Sequence, residues 1–331
     1  MMKKNPAKTV VILALLLVLP AAAFAGSPVS RLKDTFTSYN AYEDALEAIV
    51  DQGAAAIPEL MAIAGQDAPA DPAAALAHHR ARATAIQLLG DQNAVAALPL
   101  LTQILRTSTD VSAVNNAARA IARMGGASAY KILADTLALV NKSPDALFVE
   151  RKKAVIVGLG LVGDKKAIPL LTAELNNAKN SLLVRIYAAG SLGLLGRQDG
   201  KALVTAALDS ADPNVRLAAI RALGLIGSST STADLSSFTI PQEHRVIRQA
   251  AMLALSQIKA HGQPEASRAA FIKQEIMRNF GAADFVQWGT MSLKRMNTAE
   301  ARQALKDMSG LTAPDYQHLR RAARLRMKVA R

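Results

Sequence analysis

Three stretches carry residue types and spacings that could do chemistry. The most suggestive is "VIVGLGLVGDKKA" (155–167), where β-branched residues enter Gly158-x-Gly160-x-x-Gly163 and an apolar run follows. In a nucleotide-binding fold that pattern is a strand, a tight glycine turn and a helix N-terminus aimed at a pyrophosphate. The acid test fails. The motif needs Asp or Glu about 20 residues on to hold a ribose, and the acid nearest that place is Glu174, inside the next helical run. "AGSLG" (189–193) resembles a relaxed nucleophile elbow, which requires a strand-to-helix turn that exposes the serine. Ser191 instead falls mid-helix on an apolar stripe. The five histidines, His78, His79, His244, His261 and His318, lack the i+3 or i+4 ligand partner of a helical zinc pair. The expectation is no catalytic residue, no cofactor and no metal. Trp288, with Phe280 and Phe285 nearby, reads as core of a terminal helical unit.

The elements around these residues settle the glycine pattern. In register on Gly53, Gly90, Gly125, Gly163, Gly196 and Gly227, the chain repeats every 31 to 38 residues, the period of a stacked helical array. Val215, Ala218, Ala219, Ala222, Leu223 and Ile226 fall on one stripe of a 3.6-residue helix. Asp212-Pro213 supplies an N-cap and a first-turn proline, and Gly227 suits a left-handed C′ position. Gly158 and Gly160 take stripe positions of the equivalent helix, as small residues where a neighbour approaches closely, and only Gly163 is a turn. First helices are predicted at 41–52, 74–89, 111–124, 146–162, 181–195, 212–226 and 243–259. Second helices often open on Ile57-Pro58, Leu98-Pro99 or Ile168-Pro169. Longer loops are expected at 65–75 and 228–242. Four further helices follow residue 262.

"DPNVRLAAIRALGLIG" and "GDKKAIPLLTAEL" resemble HEAT repeats, especially the short bacterial kind related to phycobilisome lyase subunits. The resemblance spans residues 41–262 and is strongest over 150–227. It implies an all-α fold: a right-handed α-solenoid of about seven stacked helix pairs, plus C-terminal capping helices. It also implies work as a scaffold or binding surface. A helix pair cannot bury its stripe alone, so stacking builds one continuous core and the ends need caps. The N-terminal piece "SRLKDTFTSYNAYEDALEAIV" (30–50) and the final helix are the expected caps.

The N-terminus reads differently. Lys3, Lys4 and Lys8 precede the apolar "TVVILALLLVL", and Ala23-Phe24-Ala25 is a small-x-small cleavage site. These are the parts of a secretory signal peptide, expected over 1–25, which places the protein in the periplasm, or secreted beyond it. No later stretch is apolar enough to span a bilayer. The four expected segments are 1–25 signal, 26–40 lead-in, 41–262 repeats and 263–331 C-terminal helices. There are 39 Lys and Arg against 26 Asp and Glu, and no cysteine. Disulfides and thiolate chemistry are excluded, and a basic balance favours anionic partners.

Two basic patterns compete for function. Lys152, Arg185 and Arg216, with His79 in the equivalent place, sit eleven residues before their glycines. They read as structural groups that bond a neighbouring carbonyl or aspartate while their stems cover apolar surface. The last helix is the candidate partner-binding element: Arg321, Arg324, Lys328 and Arg331 form one stripe, with Arg320 and Arg326 beside it. The leading expectation is a non-catalytic exported scaffold for a protein partner. The alternatives are a basic module docking on anionic lipid or polymer, and a cofactor-handling factor of the lyase type. Nucleic acid is disfavoured by export and by the lack of interleaved aromatics.

Overall fold

The computed structural model describes residues 26–34, 39–142 and 147–328. Residues 1–25, expected as a signal peptide, lie outside the described residues. Among those described, the structure is helical with no strand. A short α1 (Arg31–Asp34) precedes α2 (Tyr39–Gln52) and α3 (Ile57–Gly65). Pairs then follow: α4 (Pro72–Asp91) with α5 (Leu98–Thr107), α6 (Val111–Met124) with α7 (Gly126–Lys142), and α8 (Phe148–Val162) with α9 (Ala167–Asn176). Next come α10 (Leu182–Leu194) with α11 (Lys201–Ala206), α12 (Pro213–Ile226) with the short α13 (Thr232–Ser236), and α14 (Arg245–Gly262). The chain ends in α15 (Glu265–Arg278), α16 (Ala283–Met296), α17 (Ala299–Ser309) and α18 (Gln317–Lys328).

Local chemistry explains the helix starts. Asp71, Asp110 and Asp212 accept backbone N–H groups of Ala74, Ser112 and Asn214 at 2.7, 2.8 and 2.8 Å, filling donors that the first turn leaves free. Asp71 and Pro72 start α4 inside the stretch expected as a loop, and the second expected loop contains α13.

The first helices of successive pairs, α4, α6, α8, α10, α12 and α14, pack side by side into one layer. They run parallel, because residues near their C-terminal ends face each other from helix to helix. A Cβ on Gly160 would meet Ser191 Cβ at 2.8 Å, and one on Gly224 would meet Ala254 Cα at 2.7 Å. The second helices α3, α5, α7, α9, α11 and α13 pack on these first helices as a second layer. A continuous core follows the array, from Val29 and Leu32 to Ile258. A second core, including Ile272, Leu293, Leu305 and Leu319, joins α15 to α18.

The repeat register needs two corrections. Gly90 is not the turn of its repeat. It lies inside α4, where a Cβ would strike Ala120 Cα at 2.5 Å, so it matches Gly160 and Gly224. The turn is Asn93, at φ 55°, where Gly163 and Gly196 have 80° and 77°. Asparagine tolerates this left-handed region better than other side chains, so the position does not require glycine. Gly227 is not left-handed either: its φ is −72°. A Cβ there would meet the Leu223 carbonyl oxygen at 2.4 Å, so close contact, not backbone conformation, demands the glycine.

Candidate functional site: the seam between array and C-terminal helices

The glycine fingerprint lies within and at the end of α8. A Cβ on Gly158 would meet Leu133 Cδ2 at 2.9 Å, Gly160 presses on α10, and Gly163 ends the helix in the left-handed region. Ser191 is buried against Gly160 inside α10, so its hydroxyl is not presented at a turn. His78 bonds the Gln66 carbonyl at 3.1 Å, His79 the Asp110 carboxylate at 2.9 Å, and His318 the Phe280 carbonyl. His244 caps α14, and burial, with Arg268 nearby, pushes His261 below the usual imidazole range. Among the described residues no group of three His, Cys, Asp or Glu could hold a metal. Trp288 and Phe280 pack on the C-terminal core, with Phe285 edge-on to Trp288.

The basic residues of the repeats hold the pairs together. Arg185 donates to the Leu175 carbonyl at 2.8 Å and Arg216 to the Ser210 carbonyl at 2.9 Å. Lys152 reaches Glu174 and Asn180, each at 2.7 Å. Burial pushes the Glu174 carboxyl up, but hydrogen bonds from Lys152, Asn141 and Asn180 outweigh it and hold it below the ordinary value. With the turn at Asn93, the equivalent residue eleven places earlier is Arg82, not His79. Arg82 donates to the Ala64 carbonyl at 2.9 Å, a backbone contact of the kind that Arg185 and Arg216 make.

The C-terminal arginines are not an open stripe. Gln317 donates to Asp44 at 2.7 Å, Arg320 to both oxygens of Glu47 at 2.8 and 3.0 Å, and Arg324 to Asp51 at 2.7 Å. All three pairs are 273 residues apart, so α18 and α2 run parallel in register. Arg321 binds Glu43. Arg326 turns to the first layer and meets Asp91 at 2.8 Å, where Arg123 also arrives at 3.1 Å. The acidic surface expected of a partner is thus supplied by the chain itself. The two ends, expected as separate caps, clasp each other. Sequence reasoning weighed the arginines without α2, whose acids Glu43, Asp44, Glu47 and Asp51 recur at helical spacing and were the available signal. The side chain of Lys328 and the whole of Arg331 lie outside the described residues.

The C-terminal helices also cross the first layer. Arg295 of α16 donates to the Leu161 carbonyl of α8 at 3.1 Å, and Asp284 of α16 faces Arg221 of α12 at 3.6 Å. Leu325 of α18 enters the core of the array. At Asp91, burial pushes the carboxyl up, but the guanidiniums of Arg326 and Arg123 overcome it and hold it below the ordinary range.

These features define an all-α solenoid of HEAT-like helix pairs closed by its own C-terminal helices. Residues 178–256 match the family model for HEAT repeats. Among solved structures, the chain is similar to one in the complex of CpcE and CpcF of phycocyanin lyase from Nostoc sp. PCC7120. The two are 21% identical, with 70% of this chain and 86% of that chain covered and a TM-score of 0.48. No curated protein matches the sequence. Among the described residues no helix is long and apolar enough to cross a membrane.

Proposed function

We propose that this protein is an exported, non-catalytic scaffold that holds a protein partner along one edge of its solenoid, in the periplasm. The observation that carries the reading is a row of exposed apolar side chains. Val111, Val149, Leu182 and Val246 are exposed, each the first or second residue of α6, α8, α10 or α14. Because those helices run parallel in one layer, their starts share one edge. The exposed Pro213 opens α12 between them. Scattered exposed apolar residues are ordinary, but an aligned row is a feature of interaction sites.

Export is supported by the charged, apolar and small-x-small pattern of residues 1–25. The absence of catalysis is supported by the structural employment of the residues that resembled chemical motifs: Gly158, Gly160, Ser191 and His79 all make contacts between helices. Docking on anionic lipid or polymer through α18 loses its support, since Arg320, Arg321, Arg324 and Arg326 are paired within the chain.

The test is affinity isolation from the cell envelope at moderate salt with the wild-type chain and a Val149→Asp/Leu182→Asp variant of unchanged melting temperature. A defined protein recovered with the wild type and lost with the variant supports the reading. Recovery unaffected by the variant removes this edge as the contact. Fractionation of cells, with N-terminal sequencing of the mature protein, tests export; a chain beginning at Gly26 in the periplasm is the expected result.

A further inference from the structure

The seam where α16 and α18 cross the first layer brings positive charge onto positive charge. The layer contributes Arg119 and Arg123, one turn apart on α6, and Arg221 on α12. The C-terminal helices contribute Lys294 and Arg295 from α16 and Arg326 from α18. The carboxylates acting on these groups are Asp91 and Asp284. Asp91 is fully engaged by Arg326 and Arg123. Asp284 is 65% exposed and stands 3.6 Å from Arg221, itself 49% exposed, which is a loose contact.

Among the described residues one buried donor of this seam, the Nε–H of Arg326, lacks an acceptor. Arg119 is partly buried and makes no hydrogen bond or ion pair among the described residues; the charged or ionisable groups that act on it are, in order, Arg123, Tyr187, Arg221 and Asp284. Arg326 is 95% buried by its 5% exposure, and its Nε–H has no partner while its Nη1 holds Asp91. Burial pushes the Arg119 and Arg123 guanidiniums below their usual range, and neighbouring cations push them the same way. Lys294 behaves likewise, lowered first by burial and then by Arg326.

We infer that this seam is a binding site for a small multivalent oxyanion of the phosphate or sulfate kind, free or as the terminal group of a larger molecule. Water would satisfy an orphan N–H but would leave the like charges facing each other across a poorly solvated interface, where their repulsion is strong. A tetrahedral dianion does both. Guanidinium forks match its oxygen geometry, and charge-assisted hydrogen bonds are the stronger ones. The exposed Arg221 and Asp284 mark the mouth of the seam, and Arg326 with Asp91 its closed end. Because its ligands come from both the array and the C-terminal helices, the anion would also lock one onto the other.

The experiment is thermal unfolding of the full mature chain, prepared in chloride, with inorganic phosphate added at constant ionic strength and glycerol 3-phosphate in a parallel series. The expected result is a saturable rise in melting temperature with phosphate. A larger rise with glycerol 3-phosphate assigns the site to phosphate esters, and a smaller one to the free ion. Arg119→Gln should abolish the saturable rise while leaving the melting temperature in chloride unchanged or higher, because it relieves repulsion. Lys294→Gln should act in the same direction, and Arg197→Gln, away from the seam, should respond as the wild type does. The inference is overturned if the wild type shows no saturable response, if both seam variants retain it, or if Arg119→Gln lowers the melting temperature in chloride, which would make Arg119 a structural group.

Discussion

Arg326 in the last helix and Asp91 at the end of α4 are 235 residues apart in sequence and 2.8 Å apart in space, both almost completely buried. Asp91 also holds Arg123 at 3.1 Å, so one carboxylate serves two guanidiniums and leaves the trio with a net positive charge. Removing one partner of a buried ion pair leaves uncompensated charge, at a cost of about 3–5 kcal/mol. Asp91→Asn should therefore lower the free energy of unfolding by about that amount, read from urea denaturation. A loss below about 1 kcal/mol would mean that the cations are already neutralised by something else.

The clasp between α18 and α2 is more exposed and should respond to salt. Arg320 grips Glu47 with two donors, and Arg324–Asp51 lies beside it. Partly exposed pairs are worth up to about 1 kcal/mol each and are screened beyond roughly 8 Å at physiological ionic strength. Amide exchange in α18 should accelerate between low and high salt, and in Glu47→Gln at low salt, while α10 stays protected. Equal protection of α18 in all three conditions would show that apolar packing alone holds the helix.

Glycine-to-alanine changes in α8 separate packing from backbone conformation. At Gly160 a methyl group would sit 2.8 Å from Ser191 Cβ and 2.9 Å from its Cα. Overpacking of this kind costs about 1–3 kcal/mol, against a gain of about 1 kcal/mol in helix propensity. Gly160→Ala should thus be destabilising on balance. Gly163→Ala meets no atom within 4 Å but must hold a φ of +80°, a cost of about 1–2 kcal/mol. Relaxation at the α8–α10 contact should appear as shifted amide resonances around Ser191 only in the first variant.

Acid should loosen the molecule through Asp91 and Glu174. Both carboxyls titrate lower in the folded protein than in the unfolded chain, Asp91 held down by Arg326 and Arg123, and Glu174 by Lys152, Asn141 and Asn180. The unfolded chain then binds protons more readily as pH falls. The stabilisation is complete above an ordinary carboxyl pKa, near pH 4, and is lost as pH drops through the lower folded values. The urea midpoint should fall steadily below about pH 4. Glu174→Gln should be less stable at neutral pH and show a shallower acid slope.

Most of the array was legible in the sequence because its determinants are local. Helix stripes repeat every 3.6 residues, Asp110, Ser181 and Asp212 cap their own helices, and the glycines mark turns or contacts one repeat away. Where glycine served both purposes the reading slipped. Gly90 belongs to a helix contact and Asn93 to the turn, and a single sequence does not distinguish those two demands. That slip moved the basic ladder from Arg82 to His79.

By itself the sequence determined the all-α class, the helix pairs, their order and the structural role of Lys152, Arg185 and Arg216, since each depends on residues within about one repeat. Only the tertiary structure decided where α16 and α18 lie. A stripe of arginines at 320–326 carries the same local pattern whether it faces solvent, a partner or the acids of α2. The choice rests on contacts across more than 200 residues, such as Arg320–Glu47 and Arg326–Asp91. Those contacts form because the stacked repeats set the spacing between α2, α4 and the end of the array, a distance that no local pattern encodes.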